Sequence, residues 1–261
     1  LMVALDLNPP WIEGIRNAVR ALSLNLIKRG HEVYYITRGS SAQPEIEVID
    51  GIEYHRVNVG AYETYGEKMH KFFLKAPSVI RRVVKELDID VVHGHSSYSA
   101  MGTLTGFSAL SQKVGKVMSL YSSGTSNEGV SQYSLTTKIS LKVSKSNRLT
   151  RLNARLLDKI VATSHKVETQ LLSLNIPAKK VMYLPLGVDV ERFNPNLGRD
   201  KLREELKIGI DDQVVLFAGD LTPWKGAEIL LRAIRLIKTT FPGLKAILLT
   251  KGTYEYEKER L

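Results

Sequence analysis

Leu1-Met2-Val3-Ala4-Leu5-Asp6 at one end and Val33-Tyr34-Tyr35-Ile36-Thr37 at the other enclose a stretch that alternates strand, turn, helix and strand. Val3-Ala4-Leu5 is a short apolar run closed by the turn residues Asp6, Asn8, Pro9 and Pro10. After Gly14, the residues Ile15, Val19, Leu22, Leu26 and Ile27 recur on one face of a 3.6-residue period, and Gly30 stops the helix. Val33 to Thr37 is β-branched and aromatic, as a strand requires. This is a βαβ unit, whose crossover is right-handed.

Outward from it the alternation persists. The pattern predicts a helix over much of Glu67 to Leu87, with Pro77 as its break or its start, then a buried strand at Val91-Val92-His93. A small-residue helix from Ala100 to Gln112, a strand from Lys116 to Leu120 and a Ser- and Gly-rich loop from Ser122 to Ser131 follow. A long basic helix from Leu135 to Leu157 comes next, then strand Ile160 to Ala162, helix Lys166 to Leu174 and strand Val181 to Leu184. Strands alternating with helices at this spacing define an α/β protein with a doubly wound parallel sheet. Pro, Gly, Asn and Asp dominate Pro185 to Gly198, as at a domain boundary. Beyond it a helix (Asp200 to Leu206), a strand (Val214 to Phe217), a helix (Gly226 to Lys238) and a strand (Ala246 to Leu249) restart the pattern. The expected division is residues 1–186, a linker over 187–199, and a partial second domain over 200–261.

Composition narrows the function. The 261 residues carry 37 Lys plus Arg against 27 Asp plus Glu, a formal charge of +10, with 43% hydrophobic residues and no cysteine. That balance excludes a disordered chain, and the lack of cysteine excludes a disulfide framework, a thiolate nucleophile and a thiolate metal site. No apolar run reaches the roughly 18 to 20 residues that span a bilayer, and the opening residues lack the charged lead of a signal peptide. The expectation is a cytoplasmic protein, with a peripheral place at the inner face of the membrane.

Several short motifs, taken in order, resemble the GT-B glycosyltransferases of glycosyltransferase family 4. They are Pro9-Pro10-Trp11-Ile12-Glu13-Gly14, Lys28-Arg29-Gly30-His31-Glu32-Val33, Asp50-Gly51-Ile52, Asp90-Val91-Val92-His93-Gly94-His95, Ala162-Thr163-Ser164, Leu184-Pro185-Leu186-Gly187-Val188-Asp189 with Phe193, Leu216-Phe217-Ala218-Gly219-Asp220-Leu221 and Trp224-Lys225-Gly226. The resemblance implies two Rossmann-like domains, with the acceptor on the first and a nucleotide sugar on the second. It also implies a retaining transfer that uses no metal and no cofactor, the leaving diphosphate being stabilised electrostatically. Lys225 matches the family's diphosphate-binding lysine and is the candidate catalytic residue. Gly14, between a strand and a helix, suits close approach of backbone N–H groups to an anion.

Four features depart from the family pattern. Glu13 stands where a second glycine is common, Asp220 where an arginine is usual, and Tyr121 where many members carry a histidine. The paired glutamates that read the donor would fall beyond Leu261. One reading is therefore an enzyme shortened in its donor domain; the other is a non-catalytic, transferase-like subunit that docks acceptor, membrane or a catalytic partner.

Other residues carry two readings each. His93 and His95 flank Gly94 where open α/β sheets bind ligands; His93 is expected in the core and His95 toward the acceptor. Neither has further ligands at zinc spacing. Tyr121, Ser122, Ser123 and Thr125 offer hydroxyls to a sugar, and Ser164 is either a contact or a helix N-cap.

From Lys138 to Lys159 the residues Lys138, Lys142, Lys145, Arg148, Arg151, Arg155 and Lys159 face a single acid, Asp158. Their steps of three or four place them on one helical stripe, a face suited to anionic lipid. Nucleic acid ranks behind, since no aromatic residues interleave the stripe.

Overall fold

The computed structural model describes residues 1–9, 13–60, 65–122, 142, 146–219, 221 and 225–250. They form two compact units, Leu1–Gly187 and Val188–Leu261, each described by itself. In the first, the elements are β1 (Met2–Val3), α1 (Gly14–Ile27), β2 (Tyr34–Gly39), β3 (Ile46–Ile49), β4 (Ile52–Asn58), α2 (Tyr65–Glu86), β5 (Val91–Ser96), α3 (Ala100–Ser108), β6 (Gly115–Leu120), α4 (Asn147–Leu156), β7 (Lys159–Ala162), α5 (His165–Ser173) and β8 (Val181–Tyr183). The eight strands form one sheet in the order β3-β4-β2-β1-β5-β6-β7-β8. All neighbours are parallel except the edge pair β3 and β4.

Side chains alternate across the sheet and fill two cores. Met2, Ala4, Leu7, Tyr35 and Tyr54 pack with Val19 of α1. Val3, Ile36, Phe72, Ile80, Val92, Met101, Leu104, Met118 and Leu157 belong to the larger core, to which α2 and α3 contribute. The edge hairpin β3–β4 lies outside the sequence expectation. Asp50 (φ 55°) and Gly51 (φ 76°) form its turn, both in the left-handed region that a two-residue hairpin of this hand requires.

Two expectations about helix continuity are corrected. Pro77 neither starts nor ends a helix: α2 runs through it. Buried Phe72, Ala76, Ile80, Val83 and Val84 form one apolar stripe on both sides of the proline, and their packing outweighs one lost backbone hydrogen bond. The basic helix, in contrast, is not continuous over Lys138 to Lys159. Ser146 is extended (φ −64°, ψ 129°) and its Oγ accepts from the Arg148 N–H, so α4 starts at Asn147. Lys159 belongs to β7. Residues 123–141 and 143–145, with Lys138, Lys145, Ser123 and Thr125 among them, lie outside the described residues.

The second unit contains α6 (Asp200–Glu205), β9 (Val214–Ala218), α7 (Ala227–Ile237) and β10 (Lys245–Leu249), with β9 and β10 parallel.

Candidate functional site

The parallel strands of the first unit end along one edge, where loops replace ladder hydrogen bonds and polar groups can gather. At the end of β1, Asp6 Oδ2 accepts from Arg16 Nη2 at 2.9 Å, from Arg38 Nε at 3.0 Å and from Arg38 Nη2 at 2.6 Å. Asn8 Nδ2 donates to the Arg38 carbonyl at 2.8 Å, and its Oδ1 accepts from Arg56 Nε at 3.0 Å. Arg56 in turn pairs with Glu47 at 2.6 Å. The Lys68 ammonium sits low in pKa because of burial first and the nearby Arg38 second. This cation-rich network joins residues 6, 8, 16, 38 and 56, with the Lys68 charge acting on it from nearby, and sequence spacing alone does not reveal it. The turn residues Asp6 and Asn8 directly after a strand are its one local signal.

Gly14 opens α1. The preceding Glu13 is extended and gives no side-chain cap, and no acid occupies the first turn. The N–H groups of that turn keep their positive end of the helix dipole without a side-chain oxygen from this cap. Residues 10–12, with the expected loop Pro10-Trp11-Ile12, lie outside the described residues.

β5 and β6 bring together a polar ladder. His93 Nε2 lies 2.8 Å from Ser119 Oγ, and His95 Nδ1 lies 3.0 Å from the Tyr121 hydroxyl. The two imidazoles have centroids 4.0 Å apart. The expectation that His93 is in the core and His95 toward the acceptor is corrected: residues i and i+2 share a face of a strand, and His95 is the buried one, 1% exposed. His95 Nε2 approaches Met2 Sδ at 3.2 Å. A thioether only accepts, so we assign the proton to Nε2, which leaves Nδ1 to accept from the Tyr121 O–H. The half-buried Tyr121 thereby keeps its oxygen lone pairs as acceptors for another group, and His95 stands behind it.

Burial lowers the His93 pKa from 6.5 to about 4 and holds His95 well below 6.5. Both rings are neutral when folded, whereas in the unfolded chain they take up protons near pH 6.5. The unfolded state binds more protons between these values, so stability falls as pH drops from about 6.5 toward 4. Thermal melts from about pH 7 to about pH 5 should show this fall, and it should be shallower in His93→Gln/His95→Gln. Equal slopes in both proteins would contradict the assignment.

Ser122 follows Tyr121, half-buried, at the end of β6. Ser164 lies two residues past β7 and caps α5, its Oγ accepting from the Val167 N–H at 3.3 Å. In the second unit, β9 and β10 end side by side, with the Gly219 N–H donating to the Leu249 carbonyl at 3.0 Å. Lys225 is exposed and directly precedes Gly226, whose left-handed φ of 79° turns the chain into α7. Asp220 and Trp224 lie outside the described residues. The structure thus joins His95 to Tyr121 directly and sets Ser122 and Ser164 at the ends of neighbouring strands, while Lys225 belongs to the other unit.

A parallel sheet with helical crossovers and a polar C-terminal edge defines a Rossmann-like α/β fold, which many activities share. The chain belongs to glycosyltransferase family 4, whose sequence model matches residues 12–192. It is 26% identical over 227 residues to D-inositol 3-phosphate glycosyltransferase of Kineococcus radiotolerans, covering 84% of this chain and 51% of that protein. It is 26% identical over 253 residues to an uncharacterized glycosyltransferase of Methanocaldococcus jannaschii, covering 89% and 58%. Among solved structures, sucrose-phosphate synthase of Thermosynechococcus elongatus superposes with a TM-score of 0.71 at 18% identity, covering 95% of this chain and 61% of that one. Anabaena HepE in complex with UDP-glucose gives a TM-score of 0.64 at 16% identity, covering 99% and 63%. These superpositions bear out the Rossmann-like GT-B fold. The chain spans about half the length of the curated relatives it matches.

Proposed function

We propose that the protein transfers a hexose from a nucleotide diphosphate sugar to a glycan or lipid-linked acceptor, with retention at the anomeric carbon and without a metal or cofactor. In this reading the anomeric C–O bond to the diphosphate breaks, a bond to the acceptor oxygen forms on the same face, the acceptor hydroxyl gives its proton to the departing phosphate oxygen, and negative charge grows on the leaving diphosphate. Lys225 holds that charge as the catalytic residue, helped by the N-terminal end of α7. Gly14 and the uncapped start of α1 offer N–H groups to phosphate or acceptor, while Tyr121, Ser122 and Ser164 line the acceptor side. Family membership over residues 12–192 is the observation that carries the reading. The HepE complex with UDP-glucose supports a nucleotide sugar as the donor class.

One observation favours the second reading, a non-catalytic subunit: Tyr121 occupies the expected histidine position and commits its hydroxyl proton to His95. Incubation of the protein, expressed from its whole reading frame, with UDP- and GDP-linked hexoses and cell-extracted glycans and lipids separates the two. Transfer is expected to release nucleotide diphosphate and label an acceptor. Absence of both products with every donor supports the binding subunit.

A further inference from the structure

We infer that His95 is a positioning residue that makes Tyr121 an acceptor-only contact, so that the end of β6 recognises a neutral polyol through a hydroxyl that brings its own proton. The inference rests on the reading above that Tyr121 lines the acceptor side, and it names the chemistry selected there.

Backbone and side-chain contacts fix the pair. The Tyr121 N–H donates to the Ser96 carbonyl at 3.2 Å, which ties the residue to the end of β5 as it leaves β6. His95, 1% exposed, lies between Met2 and Tyr121, its Nε2 3.2 Å from Met2 Sδ and its Nδ1 3.0 Å from the Tyr121 hydroxyl. The His93 ring packs against it with centroids 4.0 Å apart and planes 33° from parallel, and His93 Nε2 is itself 2.8 Å from Ser119 Oγ. Turning the His95 ring over would put carbon atoms at both polar positions, and neither contact would survive. The ring therefore has one orientation and, with a thioether at Nε2, one tautomer.

A phenol has a single proton to give. Burial first, and Tyr35 second, push the Tyr121 hydroxyl above its ordinary pKa of 10, so the proton stays on it. Burial also holds His95 neutral, so Nδ1 keeps the lone pair that receives this proton. What the half-buried Tyr121 offers a ligand is then an oxygen lone pair. A sugar hydroxyl fits it by donating. An ether, a carbonyl, or an ionised phosphate or carboxylate oxygen would set lone pair against lone pair, which costs affinity in a partly desolvated site.

The protein expressed from its whole reading frame, with nitrogen-15-labelled histidine, gives the first readout. His95 Nε2 should show the shift of a protonated ring nitrogen, and Nδ1 that of a bare nitrogen accepting a hydrogen bond. In Tyr121→Phe, Nδ1 should move to the shift of an unbonded nitrogen while Nε2 stays. The opposite tautomer overturns the inference.

Saturation-transfer NMR with methyl α-mannoside and its monodeoxyfluoro derivatives gives the second, because fluorine replaces a hydroxyl at similar size but donates no hydrogen bond. The parent should bind the sugar, and fluorine at one position or more should weaken binding roughly 2- to 12-fold, the worth of one hydrogen bond. Tyr121→Phe should erase that discrimination. His95→Leu should reduce it, since the freed phenol proton can turn to the fluorine, whereas His95→Asn should keep it, its Oδ1 accepting in place of Nδ1. Tyr121 is half-buried, so Tyr121→Phe and the tautomer decide the matter where a substitution of buried His95 unfolds the chain. No binding of the sugar, equal binding of every derivative, or discrimination undiminished in Tyr121→Phe or in folded His95→Leu overturns the inference. Sugar binding needs neither donor nor turnover, so the inference can fail while transfer stands, and binding can persist where transfer fails.

Discussion

Gly102→Val should destabilise the first unit by about 3 to 5 kcal/mol, a large share of the margin of an ordinary domain. A Cβ at Gly102 would collide with Met118 Sδ and stand 2.6 Å from Asn153 Nδ2. The thioether of Met118 can rotate away, but Asn153 cannot yield cheaply. Its Nδ2 donates to the Ser99 carbonyl at 2.7 Å, and its Oδ1 accepts from Thr103 Oγ1 at 2.8 Å, so this one buried amide ties α4 to α3. Valine therefore adds overpacking to the loss of buried hydrogen bonds. Urea unfolding should show a large fall in the midpoint. Gly14→Ala is the matched comparison: nothing lies within 4 Å of a Cβ there and the residue is helical, so its stability should be unchanged or slightly higher. Equal midpoints for Gly102→Val and the parent would contradict the packing of α3 between sheet and α4.

Most of the first unit is legible in the sequence because its strands and helices carry strong, opposite periodicities. β1, α1, β2, α3 and β6 follow the expected order, their ends differing by a few residues where caps rather than periodicity decide. Strand β3 escapes notice because it lies at the edge of the sheet. Ile46 and Val48 remain 54% and 64% exposed, so the alternation of Glu45 to Ile49 has no buried face to mark it, although Asp50-Gly51 is a strong turn signal. The false continuity of the basic helix has a different origin. Bases and apolar residues keep their three-or-four spacing through Ser146, and only the local competition of a capping serine breaks it.

The candidate site divides along the same line. The strand-end positions of Tyr121, Ser122 and Ser164 are legible in the sequence because the strands themselves are. The partner of Tyr121 is 26 residues away and that of Asp6 as many as 32, separations that only the strand order β2-β1-β5-β6 brings together. His95 shows the limit of reasoning from alternation: its face is set by the strand, but its burial is set by Met2 on the neighbouring strand and by Tyr121 above it.

Lys225 carries the central claim, that this chain holds the leaving diphosphate of a nucleotide sugar. An ammonium on a diphosphate is a charge-assisted contact worth about 1.5 to 3 kcal/mol, which corresponds to roughly 10- to 150-fold in affinity. The side chain is exposed and its removal should leave the fold intact. Calorimetric titration of UDP and GDP into the protein expressed from its whole reading frame, and into its Lys225→Ala variant, tests this directly. The account predicts binding of at least one nucleotide by the parent, at least tenfold weaker in the variant with an unchanged melting temperature. No heat with either nucleotide, or equal affinity for parent and variant, would contradict it.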